Sequence, residues 1–532
     1  MSDCDYIIVG AGSAGCVLAN RLSEDPTVQV VLLEAGGSDR HPLIEMPLAW
    51  MTASSSPRFG WGTESEAEPH LDGRVQPLPR GKLLGGCSSI NGTMYIRGMA
   101  ADYDSWAASG LPGWGYADVL PYFKRAERNW RGAGPEHGGE GPLAVTPMKT
   151  HPELYPAFIE AAQELGYQET DDFNVAEPEG FGIPDCTIRN GRRDSTARAY
   201  LEPAKNRPNL RVVTSAQATR VLIEDGRASG VEYRQEGPLR QLRARREVIL
   251  SAGAFHSPQL LMLSGIGPAS HLKEIGIDPL VDLPGVGANL QDHPIALTFW
   301  QASKNHTFER DLRLDRLAFS VARWWLTGKG HPAQSPLTVQ GFYRSSDKED
   351  RPDIQFQVSH TSYAARPWFP GVRKGVGHQL SAGTLLLNPE SRGRVSLRSA
   401  DPAENPRILL NFLAEESDRV RMREMVRFMR RFFATAPVSE HVSAELAPGA
   451  DATSDEAIDG WLRASVMSGG HPTSTCAMGT GKQAVVDAQL RVRGVPGLRV
   501  VDASVMPDII RGNTNAPTVM IAEKASDLLR GA

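Results

Sequence analysis

Cysteine is scarce. Five residues, at 4, 16, 87, 186 and 476, form no CxxC pair and no zinc-finger spacing. The odd number argues against a disulfide scaffold, and a reduced, cytoplasmic protein with no metal site is expected. Long hydrophobic runs are missing as well. No apolar stretch approaches the roughly 18 residues that span a bilayer, so no transmembrane segment is expected. The first residues, MSDCDYIIVGAGSAG, lack a basic region followed by an apolar core, which speaks against a signal peptide. Charge of one sign is lacking too. There are 57 basic and 62 acidic residues and no basic block, so nucleic acid is not an expected partner. Internal repeats and low-complexity tracts are also absent.

What is present is an ordinary globular composition over 532 residues, enough for two to four domains at about 150 residues each. Residues 6–9 form a short apolar run, 10–15 a glycine-rich turn, 13–22 a helix and 28–33 a second apolar run. That order is a βαβ unit. Residues 46–92 are rich in Gly, Pro and Ser and too long for a simple connector. Residues 131–143 read as an exposed loop. Strands are expected at 212–214, 221–224, 230–233 and 248–250, followed by an apolar helix at 258–263. The stretch 305–455 changes character, with strands at 354–358 and 385–387 and a charged helix at 414–435. It reads as a separate domain on an antiparallel sheet. The last 60 residues return to strand, loop and helix.

Gly10-Ala11-Gly12-Ser13-Ala14-Gly15 fits G-x-G-x-x-G between a strand and a helix. The glycines permit a tight turn and close approach of backbone to a pyrophosphate. The helix N-terminus presents free N–H groups and a positive dipole end. Glu34, 19 residues past Gly15, ends the second strand beside Ala35. A carboxylate there accepts from ribose hydroxyls and repels a 2′-phosphate. Gly10, Gly12, Ser13, Ala14, Gly15, Glu34 and Ala35 are therefore candidate dinucleotide ligands, and their place at the front of the chain favours FAD over NAD.

Two longer stretches carry a family resemblance. Residues 81–92 (GKLLGGCSSING) and 253–268 (GAFHSPQLLMLSGIGP) resemble the two signatures of the glucose–methanol–choline (GMC) oxidoreductases. His471-Pro472 and residues 513–518 (NTNAPT) resemble the family's C-terminal active-site segments. The resemblance implies an α/β fold: a Rossmann-like FAD-binding domain of GMC type with an inserted α+β substrate domain. The expected FAD-binding ranges are 1–153, 205–304 and 456–532; the substrate ranges are 154–204 and 305–455.

The resemblance also implies site residues. The glycine-dense loop 81–94 offers Gly86, Asn91, Gly92, Thr93 and Met94 to the flavin. Some family members bind flavin covalently through a histidine in this loop, but that position resembles Ile90 here, so non-covalent FAD is expected. Ala218 resembles the position whose backbone meets adenine. Asp502 and Ala503 resemble flavin-contacting positions, although a turn or cap role suits Asp502 equally. His471 is the expected catalytic base, because an imidazole suits proton abstraction near neutral pH. Its expected partner is Asn513, with Asn515 as the alternative or as a flavin contact. Pro517, read as the first residue of the last helix, and Thr518 put that helix's N-terminus at the flavin, where its dipole favours negative charge on N1. His256 is read as structural.

The implied function is oxidation of an alcohol CH–OH to an aldehyde or ketone, with oxygen or an unidentified carrier as electron acceptor. The alternatives are choline dehydrogenase, a hydroxynitrile lyase or a fatty-acid photodecarboxylase, since the fold hosts all of them. A choline site needs anionic or aromatic groups, and residues 334–342 contain no acid. Trp324, Trp325, Phe342, Tyr343, Trp368 and Phe369 either line an aromatic pocket or are ordinary core. A primary aromatic or aliphatic alcohol is the expected substrate.

Overall fold

The computed structural model describes residues 4–531; residues 1–3 and 532, the outer ends of the expected FAD-binding ranges, lie outside the described residues. The chain opens with β1 (Cys4–Val9), α1 (Ser13–Leu22) and β2 (Val30–Leu33), the expected βαβ unit. Next come α2 (Leu154–Glu164), β3 (Gly180–Gly182), β4 (Leu210–Val213), β5 (Ala216–Glu224), β6 (Arg227–Gln235), β7 (Leu239–Leu250) and α3 (Gly253–Leu263). The second half carries β8 (Pro294–Ala302), α4 (Leu314–Thr327), β9 (Leu337–Tyr343), β10 (Ile354–Ser359), β11 (Gln379–Leu386) and α5 (Glu416–Ala434). It closes with β12 (Val442–Ala447), α6 (Asp455–Ser465), β13 (Met467–Ser468), β14 (Leu498–Val500) and α7 (Asn515–Arg530).

The first sheet has a parallel part ordered β14-β7-β1-β2-β4. Every residue of β1 and β2 is buried, as expected of strands covered on both faces. β7 is long enough to serve twice. Its first half pairs antiparallel with β6, and its second half pairs parallel with β1. Helix α3 begins at Gly253, five residues earlier than expected, so its first turn lies at the carboxyl end of β7.

The second sheet is antiparallel, ordered β12-β8-β11-β10-β9-β3, with β13 also on β8. Helix α5 covers one face, burying Met422, Met425, Phe428, Met429, Phe432 and Phe433. Strand β8 alternates strictly. Ala296 and Trp300 join the α5 core, with Trp300 stacked on Phe433 at 4.2 Å. Ile295, Leu297 and Phe299 face the other way, onto a cavity.

The domain boundaries move. β8 falls in the range 205–304 expected to bind FAD, yet it is a central strand of the second sheet. Helix α6 and β13, expected after the boundary at 456, belong there too, because Ile458, Leu462 and Val466 pack in the α5 core. Conversely, Tyr200, from the range 154–204, is buried in the first core and its carbonyl accepts from Asn20 Nδ2. The residues 294–302 read as apolar alternation; nothing in that pattern states which sheet they join.

Candidate active site

A cavity of about 800 Å³ runs along the seam between the two sheets, near the upper end of the range for small-molecule sites. At one end it is bounded by Gly10, Gly12, Ser13, Ala14, Glu34, Ala35 and Ala218. Gly86, Asn91, Gly92, Met94, Asp502, Ala503, Asn515 and Thr518 line it further along, as do His471 and Asn513. Three expected ligands lie off its wall. A Cβ on Gly15 would sit 1.9 Å from the Gly10 carbonyl oxygen, so this glycine lets α1 close on the turn rather than touching a ligand. Thr93 is fully buried at φ +67° and ties its carbonyl to the Thr187 N–H. Pro517 is the third helical residue, not the first, because α7 begins at Asn515. Its missing N–H still falls in the turn that has no helical acceptor.

At the nucleotide end the protein prepares for an anion. The N-termini of α1 and α7 meet there, joined by Ser13 Oγ donating to Asn515 Oδ1 at 2.8 Å. A Cβ on Gly12 would meet no atom closer than 3.8 Å, and one on Gly92 would meet nothing, so both backbones stand open to the cavity. Glu34 accepts from the Ala11 and Gly36 N–H groups at 2.9 and 2.7 Å. Burial pushes its carboxyl up to about 7 against those two bonds. The Asp502 carboxylate is occupied by four protein donors: the N–H groups of Gly253 and Ser504 and the hydroxyls of Ser257 and Ser504. It thereby clamps the starts of two elements together while still bordering the cavity.

Further along the wall, Asn513 Nδ2 lies 3.0 Å from His471 Nε2. Gln355 Nε2, on β10, donates to Asn513 Oδ1 at 3.1 Å and to Gln340 Oε1 at 3.0 Å. A donor at Oδ1 dictates the amide's orientation, so Nδ2 donates and His471 Nε2 accepts. The His471 proton then sits on Nδ1 and donates to His293 Nδ1, 3.0 Å away. The His471 backbone N–H donates to Asp292 Oδ1 at 2.8 Å, and Ser468 bonds the other oxygen. Burial holds His471 well below the usual imidazole value, aided by His293 and Arg80. It is a neutral base at neutral pH. His293, Asp292 and Gln355 were not legible as site residues; a His following Gln-Asp at a strand start carries no periodic or motif signal of its own.

His256 lines the cavity but makes no hydrogen bond through Nε2 and packs against Trp61 at a tilt, with ring centroids 4.3 Å apart. Burial pushes it down to about 3, so it is a neutral packing group. Of the two readings of the six aromatic residues, pocket lining or core, the pocket reading fails. Trp324, Phe342 and Tyr343 are buried core, Trp325 and Phe369 are exposed, and neither these nor Trp368 reaches the cavity. Its aromatic walls are Trp50, Trp61, Phe255, Phe299 and Tyr363.

Comparison with known proteins decides the family. Residues 4–295 and 389–522 match the N- and C-terminal regions of GMC oxidoreductase. The chain belongs to the GMC oxidoreductases. It is 44% identical to an oxygen-dependent choline dehydrogenase of Brucella ovis, over 99% of this chain and 96% of that one. Pyridoxine 4-oxidase from Mesorbium loti superposes with a TM-score of 0.88 at 31% identity, covering 100% of both chains. Formate oxidase of Aspergillus oryzae RIB40 superposes with a TM-score of 0.92 at 29% identity, covering 100% of this chain and 98% of that one. This GMC oxidoreductase is an FAD-dependent enzyme that oxidises an alcohol, and the open backbones of Gly12 and Gly92 fit such a cofactor.

Proposed function

We propose that this enzyme oxidises a primary alcohol with an apolar body, aromatic or aliphatic, and that His471 and Asn513 carry the proton chemistry. The observation that carries this reading is the 3.0 Å contact between Asn513 Nδ2 and His471 Nε2 on the wall of a mainly apolar cavity. An alcohol oxygen that enters between the two atoms and replaces their direct contact donates its proton to Nε2 and accepts from Nδ2. The lone pair on Nε2 takes the proton as negative charge builds on oxygen. The Asn513 N–H stabilises that charge without competing as a base. His293 keeps the His471 proton on Nδ1, and Asp292 holds its backbone. FAD, held by the residues assigned below, would supply the two-electron acceptor for the carbinol hydride.

The nucleotide ligands we assign are Gly10, Gly12, Ser13, Ala14, Glu34, Ala35, Ala218, Gly86, Asn91, Gly92, Met94, Ala503, Asn515 and Thr518. FAD is bound non-covalently on this reading, since Ile90 has no nucleophilic atom and packs with Leu83 and Phe59. A flavin band that stays with the chain on a denaturing gel overturns that point. The five cysteines, none of them paired, suit the cytoplasm.

The relatives are named for choline, pyridoxine and formate, so family membership leaves the substrate open. Two features argue against choline. The carboxylates on the cavity wall are Glu34 and Asp502, both bonded to protein donors. The faces of Trp61 and Phe255 already carry Lys82 at 4.3 Å and Arg80 at 5.6 Å, so at either of these two rings a quaternary ammonium would lie beside a cation. The test is anaerobic bleaching of the flavin across benzylic alcohols, straight-chain alcohols and choline, followed by admission of air. Bleaching by the apolar alcohols is expected. Rapid bleaching by choline alone overturns the substrate assignment. Reoxidation by air, or its failure, decides between oxygen and a carrier.

A further inference from the structure

Half of the large apolar side chains exposed among the described residues, seven of fourteen, fall between Leu314 and Val376. They lie on two joined elements. Helix α4 buries only Trp324 and presents Phe319 (73% exposed), Trp325 and Leu326 (83%) outward. The loop that follows β10 presents Phe369, Val372 (81%) and Val376. The two are tied backbone to backbone: the Leu314 N–H donates to the Trp368 carbonyl, and the Trp368 N–H to that of Leu312. The loop tip closes on itself through Phe369 and Arg373, which bond each other's backbones. Apolar patches of this kind mark interaction sites rather than ordinary surface.

The charge around the patch selects the occupant. Residues 310–329 and 366–376 hold eight cations and two carboxylates, in a chain whose net charge is −5. Of the two carboxylates, Asp315 is paired with Arg313 and Asp311 lies beside His331. Arg310, Arg316, Arg323, Lys329, Arg366, Arg373 and Lys374 lie in the same two segments as the apolar tips and are exposed. A two-fold contact with a second copy would set these cations against their own images. A surface that accepts large apolar side chains and attracts Lys and Arg is an anionic lipid headgroup layer, which in-plane basic amphipathic helices enter with the apolar face down.

We propose that α4 and the 366–376 loop dock this enzyme on anionic membrane surfaces. The attachment is peripheral, and no described helix is long and apolar enough to cross a bilayer. It places the cavity beside the lipid, because Tyr363 and Ala364, just before the loop, are cavity wall.

The experiment is sedimentation of the holoenzyme with vesicles of phosphatidylcholine alone or with about a third phosphatidylglycerol. Binding to the mixed vesicles only, weakened by salt, is expected. Arg316→Gln with Arg323→Gln should weaken it about fivefold per charge removed, and Phe319→Glu with Leu326→Glu should abolish it. Both pairs are exposed and off the cavity wall, so flavin content, melting temperature and alcohol oxidation in solution should be unchanged; that readout separates docking from the catalytic assignment. Three results overturn the proposal. One is no preference for mixed vesicles. Another is binding untouched by Phe319→Glu with Leu326→Glu. The third is a lipid-free dimer in sedimentation velocity that this same pair dissolves, since the occupant is then a second copy.

Discussion

The two sheets that flank the cavity make their sites by different means. The parallel sheet brings its ligand groups from contiguous residues. Gly10 through Ala14 and Glu34 with Ala35 end neighbouring strands, so adjacency in sequence is adjacency in space. The antiparallel sheet brings its groups from separate strands and loops. Asn513 is oriented by Gln355 on β10, and that glutamine by Gln340 on β9. His471 meets His293 across 178 positions of the chain. Backbone geometry dominates the first site, whereas a chain of side-chain hydrogen bonds dominates the second.

That contrast can be broken by substitution. His471→Ala should lower kcat by about 10²–10⁴-fold, the usual worth of a general base, while FAD content by absorbance stays normal. Loss of flavin in this variant would show that the two sites are not separable. Gly15→Ala should do the reverse. Its Cβ meets backbone at 1.9 Å, so the turn must open, at a cost of about 3 kcal/mol or more. The measurement is flavin content and melting temperature; a stable, fully loaded Gly15→Ala enzyme contradicts the packing role. Gln355→Leu removes the donor that orients Asn513 and leaves Oδ1 unpaired. A loss of roughly tenfold in kcat/KM is expected, from about 1–2 kcal/mol for the missing bond. An unchanged rate would mean that Asn513 holds its orientation unaided.

The smallest effect is on pH dependence. Burial holds His293 at about 4 and His256 and His360 at about 3. All three lie below the unfolded imidazole value near 6.5, so the unfolded chain binds more protons between those limits. Their contribution to stability is complete above about 6.5 and is lost as pH falls toward about 4 for His293 and about 3 for His256 and His360. His137 is the opposite case. Asp172 and Glu127 raise it to about 9, against the effect of burial. Its contribution is complete below about 6.5 and is lost as pH rises through about 9. Melting temperatures of the holoenzyme at acid, neutral and alkaline pH check both signs. The acid limb of kcat/KM should lie below 6.5, since burial depresses His471 in the same direction.

The amino-acid sequence by itself determined the βαβ unit and the glycine turn with its terminal Glu34, while His471 and Asn513 were singled out only by the resemblance to the family's C-terminal segments. Those features rest on local backbone requirements and motif spacing, which survive as linear pattern. The start of α7 was legible to within two residues, because Pro517 is tolerated anywhere in a turn that lacks acceptors. Only the tertiary structure decided that β8 joins the second sheet, that Thr93 and Pro517 stand off the cavity wall, and that the conspicuous tryptophans Trp324 and Trp325 lie outside it. It also decided the partners of the proposed base. His293, Asp292 and Gln355 act through contacts made between strands and loops far apart in the chain, and a hydrogen bond between such positions leaves no period or spacing in the sequence. Alternation along 294–302 states which side chains share a face, but the sheet that face meets is chosen by packing.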